Sequence, residues 1–111
     1  MSTVNDPPET VRVLHVDDEP GFAELTADLL ERHDDRLSVE TATGGRNGLE
    51  LLRTEPFDCV VSDYDMPEMN GLEFLKRVRE EHDDLPFILF TGKGSEEVAS
   101  DAIARGVTDY L

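Results

Sequence analysis

The chain has 111 residues, the size of one domain with one hydrophobic core. Hydrophobic residues make up 38 % of it, and the net charge is −16. That charge argues against a nucleic-acid or anionic-membrane surface, because phosphates would be repelled rather than neutralised.

Residues 1–10 hold Ser, Thr, Asn, Asp and two prolines and read as a flexible N-terminal tail. Val11 to Val16 (VRVLHV) is apolar and β-branched, a buried strand that stops at Asp17-Asp18. Pro20 suits the first turn of a helix, and Phe22, Leu25 and Leu29 recur as one apolar helical stripe. Leu37 to Ala42 alternates as a half-exposed strand, followed by a Gly44-Gly45 turn. A helix bearing Leu49 and Leu52 then runs to about Glu55, where Pro56 stops it.

Phe57 to Ser62 (FDCVVS) is the most hydrophobic strand and is expected at the sheet centre. Cys59, the only cysteine, reads there as a small buried hydrophobe and permits no internal disulfide. After a loop of Asp, Pro, Asn and Gly comes a helix with Leu72, Leu75 and Val78 on one face, then a strand Phe87 to Phe90. Ser95 is an N-cap candidate for a fourth helix with Val98, Ala102 and Ile103 inward, ended by Gly106. Val107 to Leu111 begins a fifth strand. No stretch approaches the ~18 apolar residues of a membrane span and no signal region opens the chain, so a cytoplasmic protein is expected.

Strands alternating with helices predict an α/β fold, a flavodoxin-like doubly wound parallel sheet of five strands in the order 2-1-3-4-5. Functional groups then belong at the strands' carboxyl ends. The first strand ends in Asp17-Asp18, the third in Asp63 and the fourth in Thr91. The first and third strands are neighbours in that order, so three carboxylates and a hydroxyl share one crevice. Their mutual repulsion would raise their pKa values, and a hard divalent cation, Mg2+, would relieve it. A carboxylate beside Mg2+ can attack phosphorus and form an acyl phosphate, with the Thr91 hydroxyl donating to a phosphoryl oxygen. Each of these residues alone is more commonly a loop or strand-end residue; their joint placement carries the inference.

The histidines carry no such signal. His15 reads as a core histidine, and His33 and His82 as solvated positions. Two other motifs are excluded. Gly92-Lys93-Gly94-Ser95 lacks the upstream glycine of a phosphate loop and the hydroxyl residue directly after its lysine. Asp63-Tyr64-Asp65 is similar to the paired aspartates of haloacid-dehalogenase-like phosphatases, but continues as Met66-Pro67 in too short a chain.

The set VDDEP, VVSDYDMPEMNG, FTG and the DYL ending, spanning Val11 to Leu111, resembles the receiver domain of two-component response regulators. SDYDMP with FTGKGSEEVA and the acidic surface resembles receivers of halophilic archaea; an ordinary acidic bacterial protein is the alternative. The resemblance implies that Asp63 is the phosphoacceptor, Asp18 a direct Mg2+ ligand and Asp17 a ligand through water. Asp65 would offer a backbone carbonyl to the metal, Thr91 would contact the phosphoryl group, and Tyr110 would be the aromatic switch. Pro67 and Gly71 match the turn after the acceptor.

The resemblance further implies a sensor histidine kinase as donor, with a homodimer or an output domain as further partners. The module would catalyse its own phosphorylation and dephosphorylation rather than act as a turnover enzyme. Receivers also carry a lysine after the fifth strand's aromatic, then a fifth helix. The sequence ends before both, and neither Lys76 nor Lys93 stands in that position, so residues 11–111 read as a C-terminally incomplete receiver. A pseudo-receiver that binds partners without phosphorylation, and an Asp-nucleophile phosphatase, are the rival readings.

Overall fold

The computed structural model describes residues 10–90 and the pair 109–110. The expected tail, the expected fourth helix with Ser95 as its cap, Thr91 and Lys93 lie outside the described residues. The elements run β1 (Val11–Val16), α1 (Pro20–His33), β2 (Leu37–Ala42), α2 (Gly45–Thr54), β3 (Cys59–Asp63), α3 (Gly71–Glu81), β4 (Phe87–Phe90) and β5 (Asp109–Tyr110).

Among the described residues all strand pairings are parallel. β1 lies between β2 and β3, with Val16 opposite both Ala42 and Ser62, and β4 pairs along the far side of β3. The expected order 2-1-3-4 and the interior place of β3 are thus observed. At the far edge, Asp109 and Tyr110 pair with Ile88 and Leu89.

Strand side chains alternate between the two faces. Leu14, Val16, Val60, Phe87 and Leu89 lie on one face and are fully buried beneath α2 and α3, which contribute Leu49, Leu52, Phe74, Leu75 and Val78. Phe74 and Phe87 meet with ring centroids 5.6 Å apart at a tilt of 55°. The opposite face carries Val13 and His15, both buried. Farther along it, Cys59, Val61 and Ile88 are only half-buried. Cys59 is therefore not the enclosed hydrophobe the sequence suggests.

The inward stripe of α1 also differs from expectation. Leu25 and Leu29 are each 56 % exposed, whereas Ala23 and Ala27 are buried. Small side chains let the helix axis lie close to the sheet, and the leucines, two positions on, turn away by about 200°. The side chain of Phe22 lies outside the described residues.

The ladder of β3 begins two residues later than expected. Asp58 N–H donates to the Arg12 carbonyl at 2.8 Å, but Arg12 N–H donates to the Asp58 carboxylate, also at 2.8 Å, not to a backbone oxygen. The Arg12 guanidinium lies 4.7 Å from the Phe57 ring centroid, pairs with Glu55 at 2.9 Å and donates to the Pro56 carbonyl at 3.0 Å. Phe57 thus packs on a cation at the sheet's lower edge.

Candidate functional site

The acidic crevice is built by strand ends. The ladder between β1 and β2 runs one bond past Val16, because Asp17 N–H donates to the Ala42 carbonyl at 3.0 Å. This bond holds Asp17 at the strand mouth, where it is 5 % exposed. Its Oδ1 accepts the Glu19 N–H at 3.0 Å, a local turn that leads the chain into Pro20 and α1. Asp18 beside it is half-buried.

Asp63 is the last residue of β3. Parallel register brings it alongside the end of β1, and one carboxylate oxygen each from Asp17, Asp18 and Asp63 lies within 4.8 Å of the others. Burial pushes the Asp63 carboxyl above its ordinary range, and the charge of Asp17 adds to this. Backbone N–H groups of Tyr64 and Asp65 donate to it and pull the other way, while Asp18 adds a smaller push upward. Among the described residues, none of the ion pairs includes any of the three acids. A cluster of oxygen donors at this spacing, charged and uncompensated, fits a hard divalent cation.

The loop after Asp63 is tightly wound. Met66 N–H and Gly71 N–H both donate to the Tyr64 carbonyl, at 3.1 and 2.9 Å, and Met69 N–H donates to the Pro67 carbonyl at 2.7 Å. Glu68 sits at φ 68°, in the left-handed region. Gly71 is required by close approach: a Cβ there would stand 2.6 Å from the Asp63 carbonyl oxygen and 2.6 Å from Leu89 Cδ1. The start of α3 is thereby pressed against the acceptor strand.

Asn70 caps α3 reciprocally. Its Oδ1 accepts the Glu73 N–H at 2.9 Å, and Glu73 Oε1 accepts the Asn70 N–H at 3.0 Å. The sequence reading missed this box, although Asn70 followed three residues on by Glu73 is its signature.

Of the expected site residues, the structure brings together Asp17, Asp18 and Asp63. Asp65 is exposed; its N–H meets Asp63, and its carboxylate is not part of the three-acid cluster. Tyr110 pairs through its backbone with Leu89, and its side chain, like all of Thr91, lies outside the described residues. His15 is buried as expected, 5 % exposed, with Nδ1 lacking a partner. Burial lowers its pKa, against smaller upward contributions from Asp17 and a hydrogen bond to the Ala23 backbone.

Comparison with known proteins agrees with this geometry. The family model described as response regulator receiver domain matches residues 13–111. A chemotaxis protein CheY homolog of Campylobacter jejuni is 34 % identical over 109 residues, covering 91 % of this chain and 79 % of its own length. The response regulator protein PilR of Pseudomonas aeruginosa is 33 % identical over 90 % of this chain, which spans only 22 % of it. Among solved structures, chemotaxis protein CheY4 of Vibrio cholerae matches with a TM-score of 0.86 at 33 % identity, over 92 % of this chain and 85 % of that one. The response regulator TrrA of Thermotoga maritima, solved in complex with Mg2+-BeF, matches with a TM-score of 0.81 at 28 % identity, over 92 % and 85 %. The chain belongs to the family of response regulator receiver domains.

Proposed function

We propose that Asp63 accepts a phosphoryl group from the phosphohistidine of a sensor histidine kinase, and that the resulting acyl phosphate shifts the domain between two surface states. The observation that supports this reading best is the cluster itself: a strand-final carboxylate, received by two backbone N–H groups, with two further carboxylates within 4.8 Å. In the transfer, an Asp63 oxygen forms a bond to phosphorus as the histidine N–P bond breaks, and the imidazole leaves to take up a proton.

Asp17, Asp18, Asp63 and the Asp65 carbonyl are the proposed holders of Mg2+, which when bound neutralises phosphoryl charge. The Mg2+-BeF complex of TrrA supports that assignment by similarity. Thr91 is proposed to donate to the phosphoryl group and Tyr110 to report the switch. The receiver is proposed to occupy residues 11–111 of a cytoplasmic protein, its fifth strand entered at Asp109–Tyr110, with high salt as its medium. Uncompensated carboxylates favour this reading over a pseudo-receiver, which has no use for them.

Incubation with a small acyl-phosphate donor and Mg2+ is expected to add one phosphate by intact-mass spectrometry, and the adduct should vanish in Asp63→Asn. An adduct that survives the substitution refutes the site. In a Mg2+ titration, Asp18→Ala is expected to lose far more affinity than Asp65→Asn, which keeps the backbone carbonyl. Equal losses would remove Asp65 from the proposed set.

A further inference from the structure

Two grooves, of about 540 and 360 Å3, flank the 64–70 loop and share Glu68 and Met69 as their common ridge. One is bounded by the start of α2, with Arg46; the other by the outer side of α3, with Lys76 and Arg77. All three side chains are exposed.

In a chain with 26 acids and 10 Lys or Arg, cations are scarce. Arg12, Arg32, Arg36 and Arg53 are consumed by ion pairs with Glu55, Asp28, Asp34 and Glu81. Arg79 donates to the His82 carbonyl. Arg46, Lys76 and Arg77 enter no ion pair among the described residues, and they stand on the two banks of the same loop. The grooves also hold Glu50, Glu68 and Glu73, but Glu73 is engaged in the α3 cap. By formal charge the two linings balance, three cations against three carboxylates, where the whole chain stands at −16.

The Met69 part of the ridge is apolar and packed in place. Met69 is half-buried, and its sulfur lies 2.6 Å from where a Cβ on Gly45 would be, so it bridges α2 and the loop. Tyr64 and Leu72 extend the apolar surface on one side, Pro67 on the other.

We propose that the two grooves form one docking surface for an acidic segment of a partner protein, with carboxylates reaching Arg46 on one bank and Lys76 and Arg77 on the other, and an apolar side chain against Met69. The partner's charge follows from the cations left free, and its apolar anchor from the methionine ridge between them.

A fluorescein-labelled peptide of repeating Glu-Glu-Leu serves as probe, at the lowest KCl that preserves the far-UV circular dichroism of the fold. Anisotropy is expected to show binding despite the like net charges, with amide shifts confined to residues 43–47 and 64–77. The triple variant Arg46→Gln, Lys76→Gln, Arg77→Gln should bind about tenfold more weakly, and Lys or Arg exchanged for one another at these sites should restore binding. A Ser-for-Leu peptide should also bind more weakly. Unchanged affinity in the triple variant, or shifts elsewhere, overturns the proposal. So does sedimentation showing self-association of the chain that the triple variant loses, because the surface would then belong to a second copy.

Discussion

At the scale of single residues, the controlling fact is that Asp63 carries its charge at a cost. Partial burial and the nearby charge of Asp17 outweigh the two N–H donors, so its folded pKa lies above the ordinary 3.8. For a carboxyl with a raised folded pKa, the folded state binds more protons than the unfolded one across that window. Stability therefore falls as pH rises from 3.8 through the folded value, and the loss persists at neutral pH. Asp63→Asn is expected to melt higher than the parent at neutral pH in metal-free buffer, and the gap should close below the ordinary carboxyl range. Thermal melts across pH check this; a parent more stable than the variant at neutral pH without metal would contradict it. Added Mg2+ should narrow the gap from the other side, by stabilising the parent through binding.

At the scale of elements, the junction of β3 and α3 fixes the acceptor. Gly71 allows the helix to begin against the Asp63 carbonyl, and Asn70 with Glu73 closes its first turn. Gly71→Ala is expected to lower stability by about 1–3 kcal/mol, because the added carbon meets backbone that cannot yield. Asn70→Ala should cost about 0.5–2 kcal/mol through loss of the cap. Chemical denaturation measures both, and a Gly71→Ala protein as stable as its parent would show that the strand end has room to move. Much of this architecture was legible in the sequence, because acids marked the ends of β1 and β3 and Pro56 the end of α2. Where the reading failed, a competing interaction was responsible. Hydrophobic periodicity selected Leu25 and Leu29, while close packing selected Ala23 and Ala27. Apolar character began β3 at Phe57, while the Asp58 carboxylate took the Arg12 N–H that would have extended the ladder. The three-acid cluster followed from strand order alone; the tight winding of residues 64–71 did not, because such loops are set by backbone contacts that composition does not encode.

At the scale of the molecule, charge and coverage dominate. A net charge of −16 on a domain this small is self-repulsive, and screening shortens the reach of that repulsion from about 10 Å at 0.1 M salt to about 3 Å at 1 M. The melting temperature is therefore expected to climb as KCl is raised to molar levels. A melting temperature flat across the salt series would contradict adaptation to such a medium. The two sheet faces are unequally sealed: Leu14, Val16, Val60, Phe87 and Leu89 beneath α2 and α3 are fully buried, while Cys59, Val61 and Ile88 on the other face are half open.

The all-parallel register has a consequence for how this sheet comes into being. Among the described strands no two neighbours are joined by a hairpin: Val11 meets Leu37, Val13 meets Cys59 and Val60 meets Phe87. Every pairing must therefore close a loop of about twenty residues or more before its first ladder bond forms, so the entropy of closure precedes the reward. The bond between β1 and β3, which aligns the acids, spans the whole of α1, β2 and α2. The three carboxylates accordingly come together only once β3 has docked against β1, after a closure that α1, β2 and α2 must bridge.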